Sequence, residues 1–418
     1  MLRLFHFKLI FILGLLSCNI LIAQNKNYEL SIEEILLLPE EEIDLGIACL
    51  TLAKDAYPDL RIKDFDLVLD YMAGQIYKYS QGSKEPIARI GAINTYLYTP
   101  CFWNDSLIFK YDFDDLIVDK KENRCLNTYL SSRKGSCITM PMLYLVLADR
   151  LNWPIKAVKA PEHIFCRYIS NSIEWNNIEA TSGGNFVPDE YYIEDFNISE
   201  QGIQSGAYLR TLSKKEYIAS LLVSNTALFL DNFEKMHHYL TLALSIDSTL
   251  CNAHWNLGVS YFLSARKLND EMENNIAVCQ AIYLNNTNKS WDQAGPKAPS
   301  PWDYQNKRQE EMRQNVPMLN PFQTPMSGII GQNTHPTQEQ KQNPRTYPTV
   351  NNNREIYIQH VDEIKSQYYP LINEFIARSE WHKNKAKEMG MVFETTEEFY
   401  LRQYNKKHPH EIEMKTTK

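Results

Sequence analysis

Three residues far apart in the chain have the types and local settings of a nucleophile, its base and an orienting acid. Cys137 stands in the run Arg133-Lys134-Gly135-Ser136-Cys137-Ile138-Thr139-Met140-Pro141, just ahead of an apolar stretch with helical spacing. A thiol attacks a carbonyl as its thiolate, and a helix N-terminus or a nearby cation favours that form. Gly135-Ser136 permits a tight turn into the helix, Pro141 is tolerated in a first helical turn, and Arg133 and Lys134 add positive charge. Between residue 7 and residue 236 the only histidine is His163, in the strand-like run Pro161-Glu162-His163-Ile164-Phe165-Cys166-Arg167-Tyr168. It would act as base, or as the imidazolium half of an ion pair with the thiolate. Glu179 ends a second strand-like run, Ile173 to Glu179, and would orient the imidazole and stabilise its charge.

The elements around these residues must bring them together. On an extended strand His163, Phe165 and Arg167 share a face while Cys166 points the other way. Cys166 is therefore the weaker nucleophile candidate. Ser170-Asn171-Ser172 reads as the turn joining the two strands. A hairpin centred on position 171 sets His163 opposite Glu179, with side chains about 5 Å apart. Glu162 and Glu174 read as solvated surface acids. The Cys137 backbone N–H is a candidate oxyanion donor. Asn127 is either a second donor or a helix cap.

Stepping outward, residues 30–126 read as helical. Leu45, Ala48, Leu52 and Ala56 recur at helical intervals, as do Phe65, Val68, Leu69, Met72 and Ile76; such stripes are core faces. Residues 127–212 change character. Ile138 to Leu151 is apolar on most faces, as a buried helix is, and three short strands follow, from Ile155, His163 and Ile173. A buried helix on an antiparallel sheet is an α+β core. Residues 213–284 are helical again and carry a repeat. One unit contains Asn225, Ala227, Tyr239 and Ala243-Leu244, and the next Ala253, Trp255-Asn256-Leu257-Gly258 and Tyr261. Residues 285–353, rich in Asn, Gln and Pro, lack the apolar surface to offset ordering and read as a disordered insertion. Helical spacing resumes over 354–405, and 406–418 is a polar tail.

The chain has 418 residues, enough for two or three domains. Its net charge of −8 argues against non-specific nucleic-acid binding, so no nucleic-acid partner is expected. Residues 1–24 have the layout of a signal peptide: Arg3 and Lys8, then an apolar run from Leu9 to Leu16, then small residues. Cleavage after Ala23 would release a soluble exported protein, periplasmic or secreted. Leu15-Leu16-Ser17-Cys18 also fits a lipobox, in which a lipidated Cys18 attaches the protein to a membrane. Eight cysteines without paired Cys/His spacing do not make a zinc site.

The residues just described carry a resemblance. Asn-x-Tyr-Leu-x-x-Arg-Lys-Gly-Ser-Cys at 127–137, Pro-x-His-x-Phe-x-Arg-Tyr at 161–168, and Asn-Ile-Glu-Ala-Thr-x-x-Gly at 177–184 resemble the transglutaminase-like (papain-like cysteine) superfamily, in particular its SirB-type bacterial branch. Tyr111-Asp112-Phe113-Asp114-Asp115 resembles that branch's approach to the cysteine. The resemblance covers roughly residues 40–200 and implies Cys137 as nucleophile, His163 as base and Glu179 as third member, where the usual acid is Asp. The second repeat unit resembles the tetratricopeptide repeat, often found after this domain in that branch. The implied activity is hydrolysis or acyl transfer at amide bonds of a peptide or protein substrate, with no metal or organic cofactor. The rival expectation is a non-catalytic scaffold that binds a peptide or partner protein through its repeats.

Overall fold

The computed structural model describes residues 26, 28–116, 118–170, 172, 176–229, 232–287 and 350–392. The expected signal segment with Cys18, the tail at 406–418, and most of the Asn/Gln/Pro-rich insertion lie outside the described residues. At its edges that insertion is narrower than expected, because helix continues to Thr287 and begins again at Val350.

Four helices lead into the site: α1 (Ile32–Leu37), α2 (Leu45–Ala53), α3 (Ile62–Tyr79) and α4 (Pro86–Tyr98). Their starts follow from local chemistry. Ser31 and Glu34 form a reciprocal capping box at α1. Asp44 caps α2 by accepting from the Ile47 amide at 3.0 Å, and α4 begins on Pro86, which needs no donor there. Two short strands follow, β1 (Lys110–Tyr111) and β2 (Lys134–Gly135), paired in parallel with Tyr111 opposite Gly135. Between them lies α5 (Leu126–Ser132).

The central helix α6 (Thr139–Arg150) is buried along nearly its whole length, as its all-round apolar sequence requires. At its C-terminal end Arg150 gathers Asp44, Asp66 and Asp70, tying α6 to α2 and α3. A four-stranded antiparallel meander packs on α6: β3 (Ile155–Ala160), β4 (His163–Tyr168), β5 (Asn177–Glu179) and β6 (Asn185–Phe186). Ile164 and Cys166 of β4 belong to the α6 side of the sheet. Phe165 faces the opposite way, stacking on Tyr192 of α7 (Asp189–Asp195). This is a mixed helix-and-sheet fold consistent with α+β.

After the short α8 (Glu200–Gln204), α9 (Lys214–Asn225) and α10 (Phe233–Ile246) form a helical hairpin. Helix α11 (Cys251–Thr287) then runs for 37 residues and packs along α12 (Val350–Glu388), which has 39. The stretch expected to hold the second repeat unit is thus part of one long helix with no turn closing a 34-residue unit. Gly258 does serve the close approach expected of a small residue: a Cβ there would lie 2.9 Å from the Ser379 carbonyl on α12. Likewise the region expected as several C-terminal helices is, over 350–388, one helix. One hydrophobic core runs from Ile32 through α6 and the sheet to Tyr261, so packing is continuous across the expected boundaries at 127 and 213.

Candidate active site

The site is organised by the way α6 begins. The Met140 amide donates to the Ser136 carbonyl at 3.0 Å, in the turn through Cys137 and Ile138 that leads into α6. The Ser136 Oγ accepts from the Ile138 and Thr139 amides at 3.0 and 3.4 Å. In return, the Ser136 amide donates to Thr139 Oγ1 at 3.0 Å. The Ser136 hydroxyl itself donates to the Asn123 carbonyl at 2.6 Å. The half-buried Cys137 thiol therefore sits at the positive end of a helix whose first amides have no intrahelical partner. Gly135 is required just before it, since a Cβ would come within 2.5 Å of the Tyr129 ring.

His163 opens β4, and its ring is 8 % exposed. Its Nε2 lies 2.7 Å from Glu179 Oε2. Nδ1 is thus the nitrogen not engaged by the carboxylate, and the Cys137 sulfur is among the groups that act on the ring. Burial disfavours the charged imidazole. The Glu179 carboxylate and the sulfur outweigh burial and hold the His163 pKa up at about 10. Phe196 stacks on the His163 ring at 5.0 Å between centroids, which leaves the ring little freedom to turn.

Glu179 is held on both oxygens. Oε2 also accepts from the Tyr192 hydroxyl at 2.9 Å, and Oε1 accepts from the Thr181 amide at 3.0 Å and from the Thr181 hydroxyl. Burial pushes this carboxyl up, but His163 and the Thr181 donors together bring it below its ordinary value. The longer side chain serves two purposes here, reaching the imidazole and capping the turn at Ala180–Ser182. That turn is fastened from α4. Asn94 Nδ2 donates to the Gly184 carbonyl at 2.9 Å, and its Oδ1 accepts from the Tyr144 hydroxyl at 2.9 Å. Gly184 has φ +77°, and a Cβ there would lie 2.0 Å from Asn94 Oδ1, so only glycine suits the place.

The hairpin register differs from the one expected. Cys166 stands opposite Ile178 and Arg167 opposite Asn177, which moves the pairing two residues from a turn centred on 171. Because side chains alternate with period two, a shift of two preserves the face. Glu179 therefore reaches His163 diagonally, still on the expected side. The face assignment also holds for Cys166, whose sulfur is turned toward the Pro141 carbonyl at 3.9 Å and whose pKa burial pushes well up.

Two neighbours of the thiol play other parts than expected. Lys134 pairs with Asp114 at 3.5 Å, and Arg133 lies over the Phe109 ring and donates to the Leu107 carbonyl. The cation that acts on the sulfur is Arg124, 4 % exposed. Burial lowers its pKa to about 10, against the pull of Cys137 and of Asp115, so it stays charged at neutral pH. Asn127 lies inside α5, where Cys125 is the capping residue, so it is not a cap. Its Oδ1 is buried without a hydrogen-bond partner.

Sequence reasoning did not single out Arg124 or Tyr192, and no local pattern marks them, while Thr181 carried a signal only as part of the Asn-Ile-Glu-Ala-Thr word. Tyr111 carried a signal, since it opens the Tyr-Asp-Phe-Asp-Asp word. Burial, then the Cys137 sulfur, pushes the pKa of its hydroxyl up. The rest of that word is scaffolding. Asn123 Nδ2 donates to Asp112 at 3.0 Å and to Asp115 at 2.7 Å, which joins this loop to Ser136. Among the described residues no group of three or more His, Cys, Asp or Glu is placed to hold a metal ion.

No curated protein and no solved structure is significantly similar to the chain. Residues 64–221 match the Transglutaminase-like superfamily profile, a span that begins in α3 and closes in α9 and so contains the thiol, the imidazole and the carboxylate. This stretch of the chain is a transglutaminase-like superfamily domain, which suggests a papain-like cysteine enzyme fold.

Proposed function

We propose that the protein is an exported thiol enzyme that acts on amide bonds of a peptide or protein substrate, with Cys137 as nucleophile, His163 as base and acid, and Glu179 as the orienting group. The observation that carries this reading is a buried imidazole 2.7 Å from a carboxylate, with a half-buried thiol just ahead of a helix N-terminus among the groups that act on it. The attacking form is the ion pair of thiolate and imidazolium. Sulfur attacks the carbonyl carbon, the imidazolium gives its proton to the departing amine, and a thioester remains. Water or a second amine then attacks the thioester, with the imidazole taking its proton. Hydrolysis is favoured over transfer. The superfamily domain supports the thiol-enzyme reading, and the sequence words at 127–137 and 161–184 support membership of the SirB-type branch.

Iodoacetamide labelling at mildly acidic pH tests the nucleophile, because ordinary thiols are then protonated. Cys137 is expected to label at least ~10-fold faster than the same residue in the urea-unfolded chain. Equal rates would sink the proposal. Cys49, fully buried with its pKa pushed up by burial, is the internal control.

The signal-like segment supports export, with release after Ala23 or lipidation at Cys18 as the two routes. Mass spectrometry of the mature N-terminus separates them. A second reading, a binding scaffold, is favoured by one feature. A groove of about 400 Å³ between α11 and α12 is lined by Val278, Ile282, Tyr283, Tyr357, Ile364 and Tyr368. In the combined reading the helical module, taken as tetratricopeptide-like, recruits the protein whose amide the thiol attacks. Deleting the module would then raise KM for a protein substrate and leave small amides unaffected.

A further inference from the structure

The C-terminal end of α12 reaches back to the site. The Met391 amide donates to the Ala386 carbonyl at 3.1 Å, the Gly390 amide to the Lys387 carbonyl at 2.9 Å, and Gly390 has φ +90°. This pair of bonds around a left-handed glycine is a Schellman cap. Its apolar flanks, Ala386 and Met391, are buried. The cap is fastened to the segment that follows α7. Ser199 Oγ donates to the Gly390 carbonyl at 2.8 Å, Ser205 Oγ to the Met389 carbonyl at 2.8 Å, and Gln201 Nε2 to the Glu388 carbonyl at 2.5 Å. The two backbones meet closely, since a Cβ on Gly390 would lie 2.2 Å from the Gly202 nitrogen. Ala386, Met389 and Met391 share one core with Phe165, Tyr192 and Ile198, and Phe196 packs against it. Two of these rings hold the site: Tyr192 donates to Glu179, and Phe196 stacks on His163.

We propose that the turn at 389–391 is a positioning element of the active site: docked on residues 199–205, it fixes Tyr192 and Phe196, and through them the Glu179 carboxylate and the His163 ring. This role rests on the thiol-enzyme reading above. The segment it grips cannot hold its own shape, because α8 has only 5 residues and so short a helix needs tertiary support. With the turn undocked, the two rings lose the apolar surface behind them and the imidazole gains freedom to rotate. Water then enters beside the His163–Glu179 pair and weakens it. The turn lies outside residues 64–221, so the superfamily domain on its own lacks a part of its site. The groove is at the other end of α12, lined by residues from Ile356 onward to Tyr368. A deletion that tests recruitment therefore removes that end and keeps residues 386–391.

The test is Gly390→Ala in the full chain, which drives a Cβ into Gly202 and lifts the turn. Two quantities are read: the pH midpoint of the His163 imidazole by NMR, and kcat and KM for a small peptide amide. The midpoint, about 10 in the wild type, is expected to fall toward 6.5. Turnover is expected to drop ~10- to 100-fold with KM within about twofold, as when a catalytic group is misplaced by about 1 Å. A smaller folded fraction alone would lower kcat and leave the midpoint where it was. An unmoved midpoint in the folded variant therefore overturns the role of the turn, and leaves the thiol enzyme standing. A midpoint that falls as expected, in a protein whose wild-type Cys137 labels no faster than the unfolded chain, supports the positioning of His163 and sinks the enzyme reading instead. If Gly390→Ala does not fold, Met391→Ala replaces it. Met391→Leu, which nearly conserves volume, is then expected to restore the midpoint, and one midpoint shared by wild type and both variants refutes the proposal.

Discussion

The chain carries two histidine sites whose electrostatics run in opposite directions. His163 is buried beside a carboxylate and a thiol, and its pKa is held up at about 10. In the long-helix pair, His254 of α11 and His382 of α12 meet Nδ1 to Nδ1 at 2.9 Å. At His254 burial lowers the pKa, with Lys385 adding to it and a backbone hydrogen bond at Ser248 opposing it; at His382 burial, then His254, His237 and Arg378, bring the value down to about 4. One nitrogen of the pair must donate and the other accept, so protonating both would set two N–H groups face to face. Burial disfavours charge at both sites. The partner decides the outcome: a carboxylate turns a buried histidine into a resident cation, and a second histidine among cations makes it a neutral packing residue.

The largest expected effect comes from removing the partner that distinguishes them. Glu179→Gln keeps the shape and removes the charge, so the His163 pKa should fall toward or below its ordinary value of 6.5. Turnover should drop by ~10²–10⁴-fold, as when the acid of a triad is neutralised. Retention of most activity, measured as kcat/KM on a peptide amide, would refute the orienting role.

Next is the pH dependence of thermal stability, where the two sites have opposite signs. His163 is raised in the fold, so its contribution is complete below 6.5 and is lost as pH climbs toward about 10. Glu179 is lowered, so its contribution is present above about 4.5 and is lost on further acidification. The pair therefore stabilises most between those values, by on the order of a few kcal/mol. His254 and His382 are lowered, so their site is intact above 6.5 and weakens as pH falls through about 4. Hydrogen exchange at pH 5 against pH 8 should show the α11–α12 pair loosening in acid while β4 and β5 stay protected. The reverse pattern would contradict the assignment of signs.

The smallest effect is expected for His382→Gln, which keeps a polar partner for His254 and cannot charge. It should flatten the acid sensitivity of α11 and α12, shift stability at neutral pH by less than ~1 kcal/mol, and leave Cys137 alkylation unchanged. A change in alkylation would mean the two sites are coupled.

Periodicity located most helices to within a few residues: the stripe through Phe65, Leu69, Met72 and Ile76 lies on α3, and the all-apolar run after Cys137 is the buried α6. His163 and Glu179, two of the three residues chosen for chemistry, stand 2.7 Å apart, because strand and hairpin are each written locally in Pro-x-His and Asn-Ile-Glu. The hairpin register slipped by two because the turn residues around 171 do not themselves specify a loop length. The repeat reading met one continuous helix, since spacing of small residues reports a close helix contact and not where a helix stops.

What the sequence determined by itself was the inventory and its parity: a thiol at a helix start, and an imidazole and a carboxylate on one face of a sheet. Those depend on neighbours a few residues away. Tertiary structure alone decided which charges reach the sulfur. Arg124 replaced the adjacent Arg133 and Lys134, Tyr111 arrived across a parallel strand pair, and Thr181 and Tyr192 closed around Glu179. Electrostatic influence falls with distance through space and rises with exclusion of water, and neither quantity is written in the order of residues along a chain.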